Sequence, residues 1–153
     1  MPNIKKIELT SKDLRGLEVR TKNEDERNAN LQKIAPLWGR FYTELLPTLS
    51  QGATVYGVYH NYESDALGTF DVLVGADGFD VDNDEMKNVR LEAGKYLMFP
   101  AKGELPQAII DTWGKIWAYF EDPSIDERRA YKTDFELYKS EDEVEIYIGV
   151  DYL

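Results

Sequence analysis

The sequence contains no cysteine, which excludes disulfide frameworks, thiol nucleophiles and cysteine-based zinc sites together. It holds one histidine, His60, too few for a triad and a zinc site at once. Neither Ser-x-x-Lys nor Gly-x-Ser-x-Gly is present to use it, and it reads as a surface residue. Phosphate loops are missing too: Gly75-Ala76-Asp77-Gly78 lacks the lysine and the following helix. No apolar run approaches the ~20 residues of a membrane-spanning helix. Met1–Lys12 has no signal-peptide core, so a cytoplasmic setting without membrane partners is expected. Basic residues are short, with 18 Lys and Arg against 29 Asp and Glu, a net charge of −11. Such a field repels phosphate backbones, and no basic stripe overrides it, so direct nucleic-acid binding is not expected. Cations are attracted, weakly and with salt screening; otherwise the charge serves solubility.

Two further motifs stop short. Asp80-x-Asp82-x-Asp84 begins like a calcium loop, but Glu85 stands at the glycine position and Leu91 at the bidentate-glutamate position. It reads as a solvated linker. No cofactor or metal is called for.

What is present is aromatic: 10 Tyr, 6 Phe and 3 Trp in 153 residues. The length fits one domain over residues 1–153 with a real core. Helical periodicity runs from about Asn28 to Leu49, with Pro36 expected to kink it or mark a fresh start, and from about Leu105 to Glu121. Strand patterns cover Gly16–Lys22, Thr54–Asn61, Gly68–Ala76, Val89–Ala101, Thr133–Lys139 and Val144–Asp151. The order strand, helix, strand, strand occurs twice. Echoes support a repeat: Trp38-Gly39-Arg40 against Trp113-Gly114-Lys115, and Val72-Leu73-Val74-Gly75 against Ile146-Tyr147-Ile148-Gly149. The expected fold is therefore α+β, two βαββ halves (about 15–77 and 89–151) related by a pseudo-twofold, with a ligand cleft between them.

Alternation in the last hairpin puts Glu136 and Tyr138 on one face of their strand, and Glu145 and Tyr147 on one face of theirs. If Phe135, Leu137, Ile146 and Ile148 all face the helix, the four polar and aromatic residues gather on the cleft side. Carboxylates among tyrosines suit a delocalised organic cation. From alternation alone, the same face fits a solvated, charge-rich surface better than a site.

Several ordered motifs resemble the GyrI-like effector-binding domain, the small-molecule module of AraC-type and MerR-type bacterial transcription regulators, also found free-standing. They are Leu37-Trp38-Gly39-Arg40-Phe41, Val55-Tyr56-Gly57-Val58-Tyr59, Gly94-Lys95-Tyr96 with Phe99, Gly103 and Trp113, Asp134-Phe135-Glu136-Leu137-Tyr138, and Val144-Glu145-Ile146-Tyr147-Ile148. The resemblance implies binding of cationic, lipophilic aromatic compounds, sensed or sequestered, with Glu136 as the pairing carboxylate. Glu145, Tyr147, Tyr138, Tyr56, Tyr96, Trp113 and Phe99 are the neighbouring pocket candidates. It also allows two alternatives: a hydrolase of electrophilic natural products using Glu136 and Glu145, or a protein-binding inhibitor of the gyrase-inhibitor type. About 15 residues before the first expected strand are too few for a helix-turn-helix, so a free-standing binder, or one working through a partner protein, is expected.

Overall fold

The computed structural model describes residues 4–152. Eight strands form one antiparallel sheet: β1 (Lys5–Leu9), β2 (Lys12–Lys22), β3 (Val55–His60), β4 (Thr69–Ala76), β5 (Lys87–Leu91), β6 (Gly94–Lys102), β7 (Glu127–Ser140) and β8 (Glu143–Tyr152). Their order is β1-β6-β8-β7-β3-β4-β2-β5. It is symmetric about the central β3–β7 pair: β6-β8-β7 on one side mirrors β2-β4-β3 on the other. The short strands β1 and β5 each cross over to the edge of the opposite half. The sheet curls into a half-barrel of the α+β class.

Three helical segments precede or cover the sheet: α1 (Asn23–Glu26), α2 (Ile34–Arg40) and α3 (Gln107–Glu121). After α2 the chain continues through a π-helical turn, Phe41–Leu45, and a 3₁₀ turn, Leu46–Thr48. Leu37, Phe41 and Leu45 recur every four residues and are buried against Leu17, Phe70, Val72 and Val74. On α3, Ile116 is fully buried over Leu97, Phe99, Ile146 and Ile148. Burying one such side chain is worth about 1.5–3 kcal/mol. A third cluster fills the helix-free face, with Tyr56, Val58, Leu73, Tyr96, Phe135 and Tyr147.

The structure corrects several expected boundaries. The first long helix begins at Ile34 rather than near Asn28, so Pro36 lies in its first turn, where no backbone donor is required, and marks the fresh start that was one of the two expectations for it. The run Val89–Ala101 is two strands, β5 and β6, parted before Gly94, whose φ is +148°. Strand β1, too short to show in the pattern, was not expected.

Candidate functional site

β3 and β7 meet at the centre of the sheet, where Gly57 pairs with Glu136. Alternation sends the Glu136 side chain to the helix face, between α2 and α3, where it is 2% exposed. Three neutral donors surround its carboxylate. The Trp113 indole Nε1–H donates to Oε2 at 2.8 Å, and the Tyr59 hydroxyl to the same oxygen at 3.0 Å. The Tyr138 hydroxyl donates to Oε1 at 2.7 Å. Tyr59 lies two residues beyond Gly57, and Tyr138 two beyond Glu136, so the tyrosines flank the carboxylate from corresponding positions of the central strands.

Edge-on ring pairs build out from this point. Tyr59 meets Trp113 at 5.4 Å between centroids, and Tyr138 meets Trp38 at 5.0 Å. Gly57 makes room for the arrangement: a Cβ there would lie 3.1 Å from Glu136 Oε1 and 3.3 Å from the Trp38 ring. Two cavities flank the cluster. One, of about 420 Å³, is lined by Tyr59, Tyr62, Phe70, Trp113 and Arg129, with the exposed Ile110 and Trp117 at its side. The other, of about 700 Å³, lies against Trp38, Tyr42, Ile109 and Tyr138.

Burial raises the Glu136 carboxyl pKa above the usual range, while the Trp113, Tyr138 and Tyr59 hydrogen bonds pull the other way. The Tyr59 and Tyr138 hydroxyls are held protonated by burial and by the neighbouring carboxylate. They are donors to Glu136 throughout the ordinary pH range.

A second buried network adjoins the first. Asp134, 0% exposed, accepts hydrogen bonds from Arg129 Nη2 at 2.7 Å, from the Tyr62 hydroxyl and from the Gly149 amide. Arg129 and Asp134 meet across a register shift in β7, where Tyr131 takes a φ of +53°. The shift presses the Thr133 carbonyl onto β8. A Cβ at position 149 would stand 2.7 Å from that oxygen, so glycine is required there.

Of the residues expected in the cleft, Glu136, Tyr138 and Trp113 come together. Glu145 and Tyr147 do not: Glu136 pairs with Ile146 and Phe135 with Tyr147, so Glu145 and Tyr147 share the helix-free face with Phe135. The two strands pair with opposite phase: Phe135 and Leu137 turn away from the helices that Ile146 and Ile148 face, and Phe135 stacks on Tyr147 at 4.6 Å. Tyr56 and Tyr96 also lie on the helix-free face, packed against Phe135. Phe99 is buried core, in edge contact with Tyr119 under α3. Tyr59 and Trp38, which the sequence shows only as members of motifs, stand beside Glu136 as well. The missed signal was their position relative to Gly57 and to Trp113.

Outside the cavities, His60 contacts Glu18 at 3.2 Å rather than standing free on the surface. With Asp71 these residues offer ligand atoms within 4.8 Å of one another, but Arg20 and Asn61 already hold Asp71. Asp82 of the acidic linker pairs with Arg15. Among the described residues, no helix is long and apolar enough to cross a membrane.

No curated protein matches the chain. Solved structures do. An integron cassette protein from the mobile metagenome of Vibrio cholerae is 42% identical, with a TM-score of 0.90 over 97% of this chain and 95% of that one. SAV2435, solved bound to tetraphenylphosphonium, is 25% identical, with a TM-score of 0.73 over 97% and 94%. A Staphylococcus aureus protein described as a putative bacterial transcription regulation protein shares the fold at 21% identity, with a TM-score of 0.73 over 99% of both chains. The GyrI-like resemblance read from the motifs therefore holds, and with it small-molecule binding. The family model for integron-associated effector binding protein matches residues 7–150, and the chain belongs to that family.

Proposed function

We propose that the protein binds lipophilic aromatic cations, with Glu136 as the pairing carboxylate and the Tyr59–Trp113 and Trp38–Tyr138 pairs as the aromatic walls. The observation that carries this reading is the buried carboxylate whose hydrogen-bond partners are all neutral. A carboxylate out of water without a counter-charge costs several kcal/mol unless it takes up a proton or meets a cation. The three donors ease that cost without cancelling it, because the carboxyl proton is still held more tightly than usual. An organic cation entering from either cavity would supply the missing charge, and the rings would add cation–π attraction. The net charge of −11 favours the same sign of ligand. SAV2435, which shares the fold, was solved with such a cation.

The geometry favours holding a ligand over converting it. Glu145, the second carboxylate that a shared hydrolytic mechanism would use, lies on the opposite face of the sheet. A cytoplasmic sequestering or sensing role fits these features.

The test is a titration with tetraphenylphosphonium followed by tryptophan fluorescence, for the wild type and for Glu136→Gln. Saturable micromolar binding that weakens about tenfold or more in the variant, ~1.4 kcal/mol or more, supports the reading. No saturable binding, or equal affinity in the variant, overturns it.

A further inference from the structure

The smaller cavity beside Glu136 has a second polar end, and the fold builds it at some cost. Arg129 lines this cavity, and its side chain is 7% exposed. A guanidinium carries five N–H donors. Nη2 is taken by Asp134, but the buried Nε–H has no acceptor. Leaving such a donor unsatisfied is costly, and more so on a charged group. The backbone that holds Arg129 is itself irregular, with the β7 register shift and the positive φ at Tyr131 lying between Arg129 and Asp134. Strained backbone of this kind persists where the surroundings enforce it, often at ligand sites.

The guanidinium is fixed on two further sides. It covers the Tyr131 ring at 4.5 Å and reaches the Trp113 ring at 6.0 Å. Trp113 is the residue whose indole nitrogen donates to Glu136. One indole therefore touches both the carboxylate and the guanidinium. A ligand lying along it would run from the Glu136 side toward the Arg129 guanidinium, which lines the cavity and whose Nε–H lacks an acceptor. Asp134 neutralises the charge of Arg129, so the cavity does not demand an anion there.

We propose that this cavity selects aromatic cations that also carry a neutral hydrogen-bond acceptor, such as a carbonyl or ether oxygen, and that Arg129 is the residue that reads it. The proposal rests on the cation reading of Glu136. Its volume, about 420 Å³, accommodates a ligand of two or three rings.

Three probes of equal charge test this: 1-methyl-4-phenylpyridinium, its 4′-acetyl derivative and its 4′-isopropenyl derivative. The last two match in shape and differ in the acceptor oxygen. The acetyl compound is expected to bind the wild type about tenfold more tightly than the isopropenyl compound. In Arg129→Lys, which keeps a positive charge beside Asp134 but removes Nε–H, the gap should close to within about twofold. Glu136→Gln should weaken both compounds alike. Equal affinity of the two substituted probes for the wild type overturns the proposal without needing any variant to fold. A gap that survives in a folded Arg129→Lys also overturns it. If none of the three cations binds saturably, the cation reading itself fails, and this proposal with it.

Discussion

Gly57→Ala tests the packing around Glu136 with a single methyl group. On the open side of a strand the change would be mildly favourable, by about 0.4–1 kcal/mol, because alanine restricts the unfolded chain. Here the new Cβ meets Glu136 Oε1 at 3.1 Å and the Trp38 ring at 3.3 Å. The carboxylate is held by three donors and is 2% exposed, so it has little room to retreat. Trp38 is only partly buried and can yield, at the expense of its contact with Tyr138. Overpacking of this size costs about 1–3 kcal/mol. Set against the backbone gain, the net is a destabilisation of about 1 kcal/mol, or about 2–4 °C in melting temperature for a domain of this size. Tetraphenylphosphonium affinity should fall about five- to tenfold as the carboxylate and indole shift. Thermal melts and fluorescence titrations read the two effects. In a Glu136→Ala background the same change should cost less, since of the two close contacts only the one to Trp38 remains. A Gly57→Ala protein as stable as the wild type, with unchanged cation affinity, would refute this picture of the site.

Further outcomes follow from the same geometry. Asp134→Asn leaves Arg129 as an uncompensated buried cation and should cost about 3–5 kcal/mol, measured by urea denaturation. Glu145→Gln, on the opposite face, should leave tetraphenylphosphonium affinity within about twofold of wild type. Without ligand, Glu136→Gln should gain stability relative to wild type as pH rises. The folded wild type binds the Glu136 proton more tightly than the unfolded chain does, so its stability falls as pH climbs from the ordinary carboxylate range through the raised value. Each tenfold difference in proton affinity is worth about 1.4 kcal/mol, read from paired melts across pH.

Much of this arrangement was legible in the sequence. The echo of Trp38-Gly39 in Trp113-Gly114 and the repeated strand-helix-strand-strand order pointed to two related halves, and the sheet order is symmetric about its central pair. Alternation among aromatic residues made Glu136 a candidate, and the family resemblance of its motif singled it out. Register was harder to read. Phe135 is as apolar as Ile146, and with both faces of the sheet buried, alternation could not say which side each strand turned to the helices. Glu145 and Tyr147 were misplaced for that reason. The Arg129–Asp134 pair depends on a shift in β7 that no turn residue announces, and β1 is only five residues long. Trp38 and Trp113 sit on helical stripes, where packing and binding roles look alike in sequence.

The central claim is that the Glu136 carboxylate pairs with the bound cation, and the pH dependence of affinity tests it most directly. Tetraphenylphosphonium carries a permanent charge, so any titration belongs to the protein. A proton on Glu136 competes with the cation, so affinity should fall tenfold per pH unit below the raised carboxyl pKa and level off above it. From the ordinary carboxylate range up to that raised value the wild type should show the slope, with a plateau beyond it, and Glu136→Gln should bind weakly with neither. A flat wild-type profile, or a slope that persists in Glu136→Gln, would contradict the assignment.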